Sequence, residues 1–398
     1  NINGNLLDGD MELAGNYLYN GNDKDMWMKS NRRTMMDGNE EITTIKEESN
    51  HSFMQGHRAG IRADWDVTKR TSILFTPQFN FGYGDFDEMS KDTTDNNVKG
   101  RVNEVDRNSH GDNQNWTASG RLLLRHKIGN KKGRTVSANF NYNISQNRLD
   151  GENNSTTKTF RTNSYGESIA DIKKVDQQYF QKSDGYTLGA RLSYTEPLGK
   201  NFFLEASYRY NYRQTEAEKM TYNLDASTGD YTSLDTLFSN RYVNTFINQD
   251  ARLTLVKQEE KYNAQIGFSV QPAYTKSVTA LMREGRDSTL AYSVINYAPS
   301  ARFDYRFSDR NFLRINYRGS TNQPSITQLQ PVPDNSDPLY VSLGNPSLQP
   351  EFNHRLNVNY RNTNTETFAT QNAGLNASYS KDDIITARWY NTDGVQYS

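Results

Sequence analysis

The sequence predicts an all-β chain forming an antiparallel, up-and-down transmembrane β-barrel wall, and three observations predict it. Apolar and polar residues alternate with a period of two in run after run, many runs reach 10 or more residues, and the connections alternate short and long. VSANFNYNIS shows the pattern plainly: Val136, Ala138, Phe140, Tyr142 and Ile144 share one face, and Ser137, Asn139, Asn141, Asn143 and Ser145 share the other. Successive side chains of a strand point to opposite faces, so this strand has one oily and one wet surface. Strands of soluble domains run to about 5 to 6 residues, whereas a tilted strand crosses a bilayer in about 9 to 11. The longer value fits.

The runs follow in order along the chain. Ala59, Ile61, Ala63, Trp65 and Val67 form one, and Ile73, Phe75, Phe79, Phe81 and Tyr83 the next. Leu122, Leu124 and Ile128 precede VSANFNYNIS; Leu188 to Tyr194, Leu204 to Tyr212, Ala264 to Val270 and Pro299 to Phe307 come after it. Leu313 to Tyr317, Leu356 to Tyr360 and Ala373 to Tyr379 follow, and these eleven runs are the clearest of about 13 to 14 expected strands. TKRT (68–71), GNKKG (129–133), PLGK (197–200), EE (259–260), SDR (308–310) and NTNTET (362–367) are the short connections. The polar spans near 20–52, 86–114, 148–183, 217–245, 275–290 and 321–351 are expected to be long loops on the opposite rim. Short periplasmic turns facing long extracellular loops are the pattern of outer-membrane barrels.

KDDIITARWYNTDGVQYS (381–398) is expected to be one long strand reaching an Asp-Gly turn at Asp393 and Gly394. A tight turn at 381–383 instead would break the rim alternation. Backbone polar groups in the hydrocarbon must pair within a closed sheet. Residues 1–398 are therefore expected to be part of one outer-membrane barrel domain, incomplete, whose closure needs strands lying outside them.

Composition removes other classes. A formal charge of −1 and a pI near 6.6 do not suit a phosphate-tracking surface, so no nucleic-acid partner is expected. The chain has no cysteine, which excludes thiolate metal sites and disulfides, and no apolar run near the roughly 20 residues of a membrane helix. Aromatic residues at 12% are too plentiful for a disordered chain.

If the apolar face is outside, the lumen carries Arg58, Arg62, Arg121, Arg125, Arg191, Arg209, Arg213, Arg252, Arg302, Arg306, Arg314, Arg318, Arg355 and Arg361. Few acids share that face, among them Asp64, Asp66, Glu205 and Asp304. Such a cationic wall needs counter-charge, either carboxylates packed against it or an anionic solute, and both remain open. Ligand capture is expected at the long-loop rim, where Tyr231, Tyr242, Tyr340 and Asn345 are candidates by loop position alone. The five histidines are dispersed, DEMSKDTTDNN (87–97) lacks the spacing of an EF-hand, and GYGDF (82–86) precedes no helix. No metal site, cofactor or catalytic set is therefore assigned, and the chain is not expected to be an enzyme. Trp65, Trp116 and Trp389 are expected in interfacial aromatic girdles.

Residues 319–361 hold six of the ten prolines and read as a stiff loop entering a strand near Phe352. Their NQPS, DNSDPL and GNPSLQPE resemble the barrel of TonB-dependent outer-membrane receptors, in particular the group with a carboxypeptidase-regulatory-like N-terminal domain. That resemblance implies a 22-stranded barrel in the outer membrane of a Gram-negative cell, importing a scarce solute with inner-membrane energy. It also implies that residues 1–398 are the middle part of that barrel domain, with the plug and C-terminal strands outside them, and it implies the partners: outer-membrane lipid, an internal plug, TonB through an N-terminal segment, and a surface lipoprotein. The rival classes are a plugless passive porin and an adhesion or structural barrel.

Overall fold

A computed structural model describes residues 2–35, 40–162, 168–236, 238–282, 285–322, 324, 328, 334–337, 340–345, 347–364, 366–390 and 396–397. The strands are β1 (Ile2–Leu6), β2 (Met11–Met35), β3 (Glu41–Thr68), β4 (Thr71–Asn96), β5 (Gly100–Lys127), β6 (Thr135–Thr162) and β7 (Ser168–Gly199). They continue as β8 (Phe202–Leu224), β9 (Tyr231–Leu234), β10 (Asn240–Gln258), β11 (Tyr262–Leu281), β12 (Arg286–Ser308) and β13 (Asn311–Asn322). The last are β14 (Asp334–Asp337), β15 (Tyr340–Ser342), β16 (Glu351–Thr363), β17 (Thr370–Lys381), β18 (Trp389–Tyr390) and β19 (Gln396–Tyr397).

One antiparallel sheet runs in chain order from β1 to β8 and on through β10, β11, β12, β13, β16 and β17, with β9 beside the end of β8. The all-β, up-and-down architecture is as expected. The short turns also stand where the sequence put them. Between β7 and β8 both Lys200 and Asn201 take left-handed φ values of 49° and 60°, the backbone of a type I′ hairpin whose twist matches its strands.

The long rim differs from the sequence reading. Most of the spans expected to be loops are continuations of the strands themselves: β3, β5 and β6 each run 28 residues, on the order of 90 Å at about 3.3 Å per residue. The β4–β5 connection shrinks to 97–99, where Asn96 Oδ1 accepts from the N–H groups of Val98 (2.8 Å) and Lys99 (3.1 Å). Outside the bilayer both faces of a hairpin meet water, so the period of two fades while the ladder of backbone hydrogen bonds continues. The hairpins form a tall skirt above the membrane.

The span near 321–351 keeps a longer connection, containing β14 and β15, and Tyr292 Oη donates to the carbonyl of the buried Pro324 (3.4 Å). The expected strand after Lys381 is also corrected. β17 stops at Lys381, Asp382 takes a left-handed φ of 58°, and 382–388 form no strand. Trp389 lies in β18 of a separate four-stranded sheet, not in the wall's girdle; the turn expected at Asp393 and Gly394 lies outside the described residues.

Among the described residues no second sheet covers the apolar face. Phe140 is 48% exposed, Leu192 56% and Ile266 70%, values that a soluble core forbids and a lipid solvent requires. An outer girdle crosses four strands in register, Tyr19, His57, Phe81 and Trp116. Tyr17 Oη lies 2.7 Å from His57 Nδ1, and Phe79 stacks on Trp116 at 6.5 Å. Near the short turns Tyr262, Phe303, Tyr305, Phe307 and Tyr360 make a second girdle, with centroids 4.6 to 6.4 Å apart.

Above the outer girdle the sheet creases toward its polar side. A Cβ on Gly84 would strike the carbonyl oxygen of Phe53, and one on Gly111 would lie 2.5 Å from that of Asp150. Only glycine permits that approach of neighbouring backbones.

Candidate functional site: a polar cavity on the concave face

The polar face is concave. One cavity of about 1140 Å³ is lined from eight neighbouring strands, β5 to β8 and β10 to β13, an arrangement that only the inner side of a curved wall provides. Its lining includes Arg121, Asn139, Arg191, Glu205, Arg209, Asn211, Asn248, Asp250, Gln271 and Arg318. Their sequence neighbours Phe140, Leu192 and Tyr208 are exposed on the other face. The site is thus a direct product of strand alternation: each strand crossing the lipid delivers its polar residues inward.

The charges form a partly compensated array. Arg191 reaches Ser193 Oγ (3.2 Å), Ser207 Oγ (3.3 Å) and Glu205 (3.5 Å), while Arg121 donates to Asn139 Oδ1 at 2.5 Å. Asp250 accepts from Arg252 (3.2 Å) and Gln271 (3.1 Å) through Oδ2, whereas its buried Oδ1 has no hydrogen-bond partner. Arg209 and Arg318 make no ion pair among the described residues. Four arginines against two carboxylates leave the lining with two excess positive charges.

Other basic candidates stand elsewhere on the same face. Asp304 bridges Arg302 (2.7 Å) and Arg314 (2.6 Å) nearer the short turns. Arg125 lies exposed beside Ser137, and the Arg213 guanidinium lies 5.9 Å from the centroid of Phe246. Much of the wall's compensation therefore comes from its own acids. Asp250 went unrecognised as one of them, although its phase with Arg252 was a usable signal.

Tyr231, Tyr242 and Asn345 each serve a separate local partner or register. Tyr231 Oη donates to Asp176 Oδ1 (2.7 Å), and this bond pushes the tyrosine's pKa up to about 12. Tyr242 is in register with Ala217 and Thr279 on the wall. Asn345 spends its groups on a turn: Oδ1 accepts from the Ser347 N–H (2.9 Å), and its own N–H donates to Gln328 O (2.6 Å). Tyr340 opens β15. Among the described residues no hydrogen bond or ring contact joins any two of Tyr231, Tyr242 and Asn345.

At the short-turn rim Glu196 accepts from Arg134 (2.8 Å), Lys131 (2.7 Å) and Tyr194 (2.5 Å), and these bonds hold its carboxyl far below the usual range. No group of three or more acidic or histidine side chains is placed to hold a metal ion among the described residues.

The outer membrane protein beta-barrel family matches residues 126–398. No curated protein matches the sequence. Among solved structures, "Copper transporter OprC" is 14% identical, with a TM-score of 0.57, covering 97% of this chain and 56% of its own. FpvA of P. aeruginosa, bound to heterologous pyoverdines, is 13% identical with a TM-score of 0.44, covering 93% and 48%. The Escherichia coli outer membrane protease OmpT is 10% identical with a TM-score of 0.26, covering 75% and 96%. The chain spans about half the length of the first two.

Proposed function

The chain belongs to the outer membrane protein beta-barrel family, and from that premise we propose that it is the barrel of a TonB-dependent receptor importing a scarce solute across the outer membrane. The observation that carries this reading is the cavity of about 1140 Å³ on the lumen side, polar and unevenly charged, inside a lipid-facing wall. Residues 319–361, with their resemblance to such receptors, favour active import over a passive pore. The likeness to a copper transporter adds a fold that accommodates transport.

The arginine excess gives an internal plug or a passing anion a place to dock. Charge-assisted hydrogen bonds from guanidinium groups to carboxylates or phosphates are short and directional, so the wall selects without reacting. No chemistry on the solute is proposed. Binding energy is collected at the skirt and cavity, and TonB supplies the work through an N-terminal segment and plug. The long skirt also offers a surface lipoprotein a site at which to deliver solute.

The test is growth on, and uptake of, the limiting solute in cells with and without TonB. Uptake through this protein should vanish without TonB. Uptake that persists marks a passive pore, and an unchanged solute profile after deletion of the gene marks an adhesion or structural barrel.

A further inference from the structure

The outward face of the sheet that meets lipid below the outer girdle continues above it. In register across six strands, β2 to β7, the same face continues upward and presents Trp27, Ser49, Met89, Asn108, Asn154 and Asp176 in one row. That row lies eight residues beyond the girdle, counting from Tyr19 to Trp27 or from Trp116 back to Asn108. At about 3.4 Å per residue and a tilt near 40°, it stands roughly 20 Å above the girdle.

A groove of about 550 Å³ runs along this row, within the range of about 300 to 1,000 Å³ that ligand clefts occupy. Trp27 is 67% exposed and Met89 60%, an aromatic plate and a flexible apolar side chain left open to the surroundings. Asp176 is held in place by the Tyr231 hydroxyl at 2.7 Å.

From this we infer that the groove binds the saccharide chains of the glycolipid that forms the outer leaflet around the barrel. The face is continuous with the lipid contact, so what covers it must stand on that lipid. The chemistry agrees. A sugar ring offers a C–H face that packs on an aromatic plate, and a hydroxyl edge that pairs with planar amides and carboxylates such as Asn108 and Asp176. The lining bears four acids and three bases, and the adjoining Lys29 pairs with Glu47 at 2.7 Å, so no excess charge selects a phosphate. The inference rests on the outer-membrane barrel alone and is independent of whether the protein imports a solute.

The full-length protein in phospholipid proteoliposomes is titrated with core oligosaccharide freed of its lipid, with lipid A, and with a neutral glucan, following the heat of binding by isothermal titration calorimetry. Core oligosaccharide should bind saturably, Trp27→Ala should weaken it about tenfold or more, and Trp27→Phe should stay within about threefold. Trp27 is exposed, so Trp27→Ala leaves the wall's packing intact, and unchanged solute uptake by this variant separates the groove from transport. Equal binding of oligosaccharide by Trp27→Ala, or binding of lipid A only, overturns the inference. Equal affinity for the glucan overturns the glycolipid source. A protein that purifies on this face and is released by Trp27→Ala overturns the saccharide.

Discussion

Arg191 on β7 and Arg209 on β8 are direct cross-strand partners, two cations side by side on the lumen face. Like charges so placed repel and weaken a sheet. Two acids offset them: Glu205 lies 3.5 Å from Arg191, and Asp250 is the cross-strand partner of Arg209 on its other side. The two acids are what make the pair of cations tolerable.

Asp250→Asn should therefore destabilise the barrel by about 1 to 3 kcal/mol, through loss of charge-assisted bonds to a half-buried array. Arg209→Gln should cost less, because it also relieves repulsion. Chemical denaturation of the two reconstituted variants checks the order; a larger loss for Arg209→Gln would contradict it.

The two faces should respond oppositely to charge. Tyr208→Arg places a cation in lipid near the middle of the wall, a cost of about 2 to 4 kcal/mol, while Arg209→Gln next to it remains in the lumen. Outer-membrane assembly, read by heat-modifiable gel mobility, should fall sharply for the first and little for the second.

Why one part of the molecule was readable and another was not follows from these faces. Where lipid stands on one side and the lumen on the other, as at Phe140 and Asn139, the solvent difference is written into alternate residues. Above the girdle, water meets both faces, and strands such as 86–96 of β4 lose their alternation, so they resemble loops. The arginine face was legible, but its internal pairing was not, because Arg314 and Asp304 meet across strands through a register that sequence spacing does not state. Loop position alone carries no geometric criterion, and Tyr231 and Asn345, chosen by it, are each engaged by a separate local partner.

The crease predicts a contrast between glycines. Gly84→Ala forces a methyl against the Phe53 carbonyl and should cost about 1 to 3 kcal/mol or block assembly. Gly15→Ala, where nothing lies within 4 Å of the added carbon, should be silent. Comparing the yield of folded protein in the outer membrane decides the matter.

The Tyr231 to Asp176 bond sets an alkaline limit on the docking of β9. Neutral tyrosine is the donor and its folded pKa is raised to about 12. The bond's contribution is thus complete below the unfolded value near 10 and lost as pH rises through about 12. Proteolysis of the 225–239 region should accelerate over that window in the native protein, whereas Tyr231→Phe should be cut at an already raised, pH-independent rate.

The order of the wall has a consequence in time. Every long pairing joins strands that are consecutive or separated only by the small inserts β9 or β14 and β15, so no wall strand waits for a distant part of the chain. Closing a short turn is entropically cheap and fast, so each hairpin can start from its own turn and lengthen along its strands. The chain can therefore zip hairpin by hairpin from any completed turn, each new edge serving as the template for its successor. The type I′ turn at Lys200 and Asn201 is a natural starting point for that growth, and the tall hairpins, needing no lipid to pair, can register before the apolar band enters the membrane.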